Sequence, residues 1–334
     1  MRAAANSEDR ASDGTTVSVV TPTHCKKELL AATLNSLCAQ TYPSRLLEVV
    51  VVDDCSGDDT WDFLGRIETT FRLRPLLHEV NKGRAAARNT ALNEATGTLV
   101  LFLDDDMRAH PGLVEAHVRC HRAHPGSVVI GNAITAPELG TSNTLRYLDT
   151  RGVHKLSPEA DVPARYLLTN NSSVSRSALV EVGMFDEAFR NYGFEDTELA
   201  FRLEDAGLRF RYCPDAVAYH IHYHSLDELL RKRYESARGS LDYLLNKFPE
   251  RAAELSVDVL LPRAPSDGPG LRLRKNLMRL AMSRPFIAVA RATADGPFMG
   301  ELTYRAIDLL VAERYRRGLA DAHLARATTS GLAE

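Results

Sequence analysis

The sequence lacks the features that mark several large classes of protein. Lys and Arg (41 residues) nearly balance Asp and Glu (44 residues), and no long basic run occurs, so nothing indicates a nucleic-acid partner. No stretch approaches the roughly 18 apolar residues that a membrane-spanning helix needs. The five cysteines show neither CxxC pairing nor zinc-ligand spacing, which is typical of free thiols in a reducing cytosol. We therefore expect a cytoplasmic protein without a transmembrane segment.

Several catalytic motifs are also missing. No G-x-G-x-x-G follows the first predicted strand, which argues against a dinucleotide-dependent dehydrogenase. The dipeptide Gly-Lys does not occur, so the sequence contains no P-loop, and the G-x-S-x-G of a hydrolase elbow is absent as well. These absences reduce the number of enzyme classes to which the chain can belong.

The first half of the chain alternates predicted strands and helices. Apolar runs at Val17–Val20, Leu46–Val52 and Thr98–Leu103 have the pattern of buried strands. Segments with helical periodicity lie between them, among them Glu28–Gln40 and Arg84–Glu94. This order predicts an α/β fold with a mostly parallel sheet flanked by helices. Ligands bind such sheets beyond the carboxyl ends of the strands.

Acidic clusters stand at the ends of two of these predicted strands. Asp104, Asp105 and Asp106 are adjacent, so their charges repel one another unless a cation lies between them. A hard divalent ion binds carboxylate oxygens and bridges to phosphate, whereas the alternative is an acidic helix N-terminus that complements the helix dipole. Asp53 and Asp54 end the preceding long strand, where a carboxylate accepts hydrogen bonds from a base or ribose, or caps a turn.

Three further groups of polar residues are candidates for a site. Arg84 and Arg88 share a predicted helix face and either reach a phosphate or form a solvated basic surface. Glu195 and Asp196 begin a predicted helix, where a carboxylate can act as a general base or only complement the helix dipole. Imidazoles alternate in Tyr219–His224, so an extended segment would present all three rings on one face.

These motifs follow one another in a specific order. They are Val19–His24, Val51–Ser56, Ala87–Asn89, Phe102–Asp106, Asn171–Arg176, Val182–Glu187 and Gly193–Asp196. The ordered set resembles the GT-A glycosyltransferases of family 2, over about residues 17–225. The resemblance implies a GT-A domain with a helical C-terminal extension. It also implies metal-dependent, inverting transfer of a sugar from a nucleotide-sugar donor.

The resemblance implies that one group of residues binds the donor nucleotide. Thr21 and Asp54, with Asp53 beside it, would hold the base and ribose, and Arg88 would lie by the diphosphate. The other positions expected in this donor site are Pro22, Asp104, Asp105 and Asn171.

The resemblance also implies a metal site and a catalytic base. Asp104 and Asp106 look like the two ends of the DxD motif, with Asp106 and His220 as ligands of Mn²⁺ or Mg²⁺. Asp196 resembles the catalytic base of inverting members, and Glu195 would lie towards the acceptor or donor sugar. The Gln-x-x-Arg-Trp motif of processive synthases is absent, so we expect a single sugar transfer.

The domain organisation expected from the sequence has four parts. They are a disordered tail (1–15), a nucleotide-sugar-binding half (16–130), an acceptor-binding and catalytic half (131–225) and a helical C-terminal region (226–334). The basic segment 271–291 of the last part packs on its own core or on a partner in a homodimer, or binds anionic lipid at a membrane surface.

Two other functions are compatible with an acidic site on such a sheet. A nucleotidyltransferase would need a Gly-rich, basic loop after the first strand, which Thr21–Cys25 does not provide. A non-catalytic nucleotide-sugar-binding protein would not need the acidic residues at 106, 195 and 196. Uridine diphosphate is the family's default nucleotide. The sugar stays open, as does a small-molecule, glycan or peptide acceptor.

Overall fold

A computed structural model describes residues 14–157, 160–297 and 300–330. The chain forms two compact units. The first contains residues up to Ala136, Gly152–Asp186 and Leu199–His222, and the second contains Pro137–Arg151, Glu187–Glu198 and the residues from Tyr223 onwards. The predicted tail, residues 1–15, lies almost wholly outside the described residues.

A single eight-stranded sheet forms the centre of the first unit. Its strands are β1 (Val17–Thr23), β2 (Leu47–Asp53), β3 (Arg72–Leu77), β4 (Leu99–Leu103), β5 (Met107–Ala109), β6 (Ser127–Thr135), β7 (Asn171–Ser175) and β8 (Arg209–His220). Their spatial order is β3-β2-β1-β4-β7-β6-β8-β5. All seven residues of β2 are buried, as its continuous apolar run predicts.

The sheet is mixed, with four parallel and three antiparallel strand pairs among the described residues, so the expectation of a mostly parallel sheet holds by a narrow margin. Strands β3, β2, β1 and β4 are parallel, but β7 is antiparallel to both β4 and β6, and β5 is antiparallel to β8. Only three residues separate β4 from β5 in the chain, yet β5 lies at the far edge of the sheet, where it pairs with β8. A register shift between Gly131 and Asn132 interrupts the parallel pair β6–β8, and shifts of this kind bend strands.

Twelve α-helices accompany the sheet among the described residues. They are α1 (Lys27–Cys38), α2 (Thr60–Leu64), α3 (Arg84–Glu94), α4 (Leu113–Ala123), α5 (Asn143–Arg151), α6 (Arg176–Glu181), α7 (Glu195–Asp205), α8 (Leu226–Ser236), α9 (Asp242–Lys247), α10 (Pro269–Ala281), α11 (Arg284–Asp295) and α12 (Glu301–Ser330). Helix α3 has the bounds that the sequence predicts, and α1 differs from its prediction by two residues or fewer at each end. Within the described part of the chain, none of the helices is sufficiently long and apolar to cross a bilayer.

The second unit is helical around its own apolar core. The Ser225 hydroxyl accepts a hydrogen bond from the Glu228 amide at 3.1 Å, which caps the start of α8. Leu226, Leu229 and Leu230 of α8 belong to an apolar cluster that also contains residues of α5, α11 and α12. In α12, Gly318 lies so close to α8 that an added Cβ would be 2.6 Å from the Tyr234 carbonyl oxygen.

Candidate active site

The three adjacent aspartates form the turn between β4 and β5. The backbone carbonyl of Asp106 accepts a hydrogen bond from the Ile221 amide at 2.9 Å, which ties this turn to the end of β8. Strand β1 lies next to β4 and ends at Thr23, whose hydroxyl donates to the Asp105 carboxylate at 2.8 Å. The ends of three strands therefore meet at the aspartates, at the edge of the sheet where the sequence predicts a site.

Lys26 neutralises two of these carboxylates. Its Nζ atom lies 2.8 Å from the Asp105 carboxylate and 3.0 Å from that of Asp106. Burial by itself lowers the pKa of Lys26, but the two carboxylates outweigh this effect and raise the pKa above its ordinary value. The aspartates thus hold an ammonium ion that belongs to the chain itself, a partner that the sequence analysis missed.

The two carboxyls that share this lysine differ in their affinity for protons. Burial raises the pKa of Asp105, and Lys26 only partly offsets it. Burial acts in the same direction on Asp106, but His220 and Lys26 outweigh it and lower its pKa to about 2. Of these two carboxyls, Asp106 therefore holds its negative charge more firmly, and it is the position expected to bind a metal.

His220 lies beside Asp106 because of strand register. It is the last residue of β8 and pairs with Met107, and its Nε2 is 3.6 Å from Oδ1 of Asp106. Its Nδ1 lies 3.2 Å from the carbonyl oxygen of His222. A carbonyl can only accept, so this bond places a hydrogen on Nδ1, and Nε2 is the ring nitrogen that faces Asp106.

A carboxylate oxygen and an imidazole nitrogen that face each other in this way fit a divalent cation. Both atoms are metal ligands, and the bond from Nδ1 to a backbone carbonyl is the support that ligating histidines usually have. The expectation that three imidazoles line one strand face is wrong, since β8 ends at His220 and the residues after it are not extended in the sheet.

Arg88 holds the first aspartate of the turn. Its guanidinium lies 3.0 Å from Oδ1 of Asp104 and 5.6 Å from the centre of the Phe185 ring. Asn89 fixes Phe185 by two hydrogen bonds of 2.9 Å with its backbone, one donated and one accepted. Arg88 is buried and Arg84 is exposed, so the two arginines do not form one basic surface. Asp104 is the most exposed carboxylate of the turn.

At the end of β2, the protein's own backbone binds the carboxylate of Asp54. The amides of Lys82 and Gly83 each donate to it at 2.8 Å, and Nδ1 of His78 lies 2.7 Å away. These bonds fix the loop that leads into α3. His78 links this carboxylate to the rest of the loop, and no sequence motif predicted it. A nucleotide contact by Asp54 stays a prediction.

Two buried oxygens near this edge have no hydrogen-bond partner among the described residues. They are Oδ2 of Asp53 and Oγ1 of Thr21, and both side chains are fully buried. Asp53 pairs with Thr23 across β1 and β2, so Thr21, Thr23 and Asp53 share one face of the sheet. Buried polar atoms normally have partners, and these two are therefore candidates for contact with a ligand or water. Pro22 lies between the two threonines and contributes no donor.

The side chain of Asn171 lies inside the protein, and its expected place in the donor site stays a prediction. Its amide bonds to Nε2 of His117 at 2.9 Å and donates to the Ala216 carbonyl at 2.8 Å. The residue is 1% exposed, and an added Cβ at Gly131 would lie 2.4 Å from its side chain. Asn171 therefore connects β7 to α4 and to β8. Its polarity resembles that of a ligand-binding residue, and the sequence alone does not show the partners that satisfy it.

The predicted catalytic carboxylates belong to the second unit. Glu195 and Asp196 are the first two residues of α7, and Oδ1 of Asp196 accepts a hydrogen bond from the Thr197 amide at 2.8 Å. The two residues before them have positive φ, +84° at Gly193 and +69° at Phe194. Such a conformation is costly for phenylalanine, and backbone strain of this kind concentrates at functional sites.

The chain is similar to known glycosyltransferases. The model of the family "Glycosyl transferase family 2" matches residues 18–182. The uncharacterized glycosyltransferase YfnE of Bacillus subtilis is 29% identical over 69% of this chain and 70% of its own length. A pre-mycofactocin glycosyltransferase of Mycobacterium tuberculosis is 31% identical over 77% of this chain, which spans 56% of that relative.

Solved structures share the fold. The mannosyltransferase PcManGT of Pyrobaculum calidifontis, in complex with GDP-Man and Mn²⁺, has a TM-score of 0.63 and 21% identity over 91% of this chain and 87% of its own. TarS (1–349) of Staphylococcus aureus, in complex with UDP, has a TM-score of 0.54 and 20% identity over 93% of this chain and 92% of its own. These likenesses confirm the GT-A fold. The match to the family model and the glycosyltransferase relatives show that the chain belongs to glycosyl transferase family 2.

Proposed function

We propose that this glycosyltransferase moves a single sugar from a nucleoside diphosphate sugar to an acceptor, with inversion and with Mn²⁺ or Mg²⁺. The observation that carries the proposal is the position of Asp106, an ionised and buried carboxylate between the ammonium of Lys26 and the Nε2 of His220. Asp106 and His220 would hold the ion, together with Asp104. When bound, such an ion neutralises charge on a leaving diphosphate as a Lewis acid.

The buried residues around β1 and β2 suit the nucleoside of the donor. Thr21 and Asp53 offer oxygens that no described residue binds, and a base or ribose can donate to or accept from them. Asp54 keeps the neighbouring loop in place through its bonds to backbone amides. Arg88, held by Phe185 and Asp104, provides a guanidinium that can bind a phosphate oxygen.

Asp196 is the residue that we assign as general base. The acceptor's hydroxyl would give its proton to the Asp196 carboxylate as its oxygen bonds to the anomeric carbon. The bond from that carbon to the diphosphate breaks at the same time, and the electron pair leaves with the diphosphate. Attack from the face opposite the leaving group inverts the anomeric centre. The strained turn at Gly193 and Phe194 supports this assignment, because it sets where α7 begins.

The identity of the nucleotide is best tested by ligand-induced stabilisation. Structural neighbours are complexed with GDP-Man and with UDP, so guanosine and uridine diphosphates should be compared, each with Mn²⁺ and with EDTA. A ligand at 100-fold its dissociation constant adds about 2.7 kcal/mol to the free energy of unfolding. We expect UDP to raise the melting temperature only when Mn²⁺ is present. Equal stabilisation in EDTA would contradict the metal's role in donor binding.

The general base is tested by Asp196→Asn, compared with Asp205→Asn at the exposed end of the same helix. General-base catalysis contributes about 10²–10⁴-fold, so we expect a loss of that size in kcat while the donor's dissociation constant stays unchanged. Near-normal turnover by Asp196→Asn would overturn the assignment. Donor binding by the wild type without release of nucleoside diphosphate, whatever the acceptor, would instead indicate a non-catalytic protein.

A further inference from the structure

Two consecutive helices of the second unit expose large apolar side chains. In α10, Leu273, Leu277 and Leu280 are 58%, 58% and 60% exposed, and in α11, Phe286 and Val289 are 52% and 64% exposed. The spacing i, i+4, i+7 places the three leucines on one face of α10, and the spacing i, i+3 does the same for α11. Among the residues that the structure describes, five of the fourteen large exposed apolar side chains thus lie within 17 residues of sequence.

The opposite faces of the same helices are anchored to the unit. The Lys275 ammonium lies 2.8 Å from the Asp267 carboxylate and donates to the Pro262 carbonyl at 2.9 Å. On α11, Ala290 and Ala294 are part of the apolar core of the second unit. The leucines are therefore exposed on a helix whose other side is already bound, and each helix has one buried and one apolar exposed face.

The charge around these apolar faces has one sign. Between Asp267 and Asp295 the sequence contains six basic residues and no acidic one. Lys275 pairs with Asp267 and Arg291 pairs with Asp227 and Asp295. The exposed arginines are Arg272, Arg274, Arg279 and Arg284, and of these Arg274 also lies 3.8 Å from the Asp258 carboxylate. A helix with exposed leucines and arginines beside them matches the interface of an anionic bilayer, where apolar side chains enter the acyl boundary and arginines meet phosphate groups.

We propose that the exposed face of α10 and α11 (Leu273, Leu277, Leu280, Phe286, Val289 and the four exposed arginines) docks on an anionic lipid surface. A second copy of the chain fits less well. In a twofold contact the same face meets itself, so arginines would oppose arginines without an acidic residue of this segment to pair with them. A lipid surface provides both the apolar layer and the negative charge that this face requires.

The docking is tested by sedimentation of the full chain with vesicles, without donor or acceptor. We expect binding to vesicles of phosphatidylcholine and phosphatidylglycerol (7:3) to be at least about tenfold tighter than to pure phosphatidylcholine, since each basic residue near such a surface contributes about fivefold. Raising NaCl from 0.1 to 0.5 M should weaken it, because the Debye length shortens. Absence of binding, or equal binding to both vesicles, overturns the proposal. Neither result bears on sugar transfer.

Two variants separate the apolar and charged contributions. Leu273→Asn with Leu277→Asn should weaken binding to the anionic vesicles at least about tenfold, because two leucines no longer enter the apolar layer. Leu302→Asn with Leu324→Asn, at exposed leucines of α12, is the matched control and should bind as the wild type does. Arg274→Gln with Arg279→Gln should reduce the preference for anionic vesicles and leave weak binding to neutral ones.

The same variants distinguish a lipid surface from a second copy. Light scattering of the wild type should give the mass of a monomer at concentrations where it binds vesicles. A dimer that the Leu273→Asn and Leu277→Asn variant abolishes would show that a second copy covers this face, and the proposal would then be wrong. Circular dichroism of the variants ensures that lost binding does not come from lost folding, and the residues changed are already exposed.

Discussion

The first unit contains two clusters of polar side chains that differ in the charge of their hydrogen-bond and ion-pair partners. The edge cluster consists of Asp104, Asp105, Asp106, Lys26 and His220, and the core cluster consists of His117, His121, Asn171 and Ser173. In the core cluster, His117 bonds to Asn171 and to the Ser173 hydroxyl at 2.8 Å, and His121 bonds to the same hydroxyl. All of its partners are neutral, whereas the Lys26 ammonium balances negative charge in the edge cluster.

This difference separates a scaffold from a site. In the core cluster, neutral donors and acceptors bond to one another and stabilise a single arrangement of β7, α4 and β8. Their hydrogen bonds are made within the protein and do not require a ligand. An ammonium group beside carboxylates can be displaced, because a cation of higher charge binds the same carboxylate oxygens. The predictions below change one cluster at a time.

The largest effect is expected for Asp106→Ala. The charge stabilisation that a bound metal provides is worth several kcal/mol, so turnover should fall by roughly 10³-fold or more. Donor-dependent stabilisation by Mn²⁺ should disappear as well. Asp215→Ala, on an exposed carboxylate of β8, is the control and should keep full turnover. Unchanged turnover in Asp106→Ala would show that the two clusters do not differ in function.

Asn171→Ala should destabilise the fold without weakening donor binding. The change leaves His117 and the Ala216 carbonyl without their buried partner, and each such loss costs about 1–3 kcal/mol. We expect the free energy of unfolding, measured by urea titration, to fall by about 3 kcal/mol. Asn35→Ala, at an exposed position of α1, should change it little. If Asn171→Ala instead weakened donor binding and left the stability unchanged, Asn171 would be assigned to the donor site.

Acid should weaken the core cluster through its two histidines. Burial lowers the pKa of His117 to about 4 and, with a contribution from His117, that of His121 to about 4. In the unfolded chain both rings have a pKa near 6.5, so the unfolded state takes up protons that the folded state rejects. The stability they provide is complete above about pH 6.5 and is lost as the pH falls towards about 4.

The free energy of unfolding is expected to decrease by about 2 kcal/mol per histidine at pH 5 relative to pH 8. Urea midpoints measured in EDTA across this range should therefore decrease as the pH falls. His117→Gln should reduce the slope by about half, because His121 remains. A midpoint that is constant between pH 7 and pH 5 would contradict the neutral, buried state of these rings.

The smallest effect is expected for Lys26→Met. Metal binding at Asp106 then no longer has to displace an ammonium ion, so Mn²⁺ should bind about tenfold more tightly by calorimetry, which is about 1.4 kcal/mol. Lys27→Met is the matched control, since Lys27 pairs with the exposed Asp59 instead. Weaker Mn²⁺ binding in Lys26→Met would show that the lysine organises the carboxylates rather than competing for them.

The sequence predicts the strand ends of the site well, because strand length and apolar runs are local properties. Strands β1, β2 and β4 and the turn with Asp104–Asp106 follow from those runs. The role of Lys26 does not, since it requires knowing that β1 is the neighbour of β4 in the sheet. A cation shortly after the first strand is the signal that could have revealed it.

Other features that the sequence does not predict also depend on pairing between distant parts of the chain. The direction of β7 and β5, the end of β8 at His220 and the buried partners of Asn171 all depend on which strands become neighbours. Polarity in the sequence does not distinguish a side chain that meets another polar group in the core from one that awaits a ligand. The position of His220 was expected from family resemblance, and the register Met107 with His220 provides its physical reason.

The close approach of Gly131 to Asn171 has a consequence for how this sequence can change over generations. A methyl group at 131 would overlap the amide at 171, and a shorter residue at 171 would leave room for it. The two positions are 40 apart in the chain, yet a substitution at one alters which substitutions are tolerated at the other. We expect related sequences that carry alanine or serine at the first position to carry a small residue at the second, so that the pair varies together.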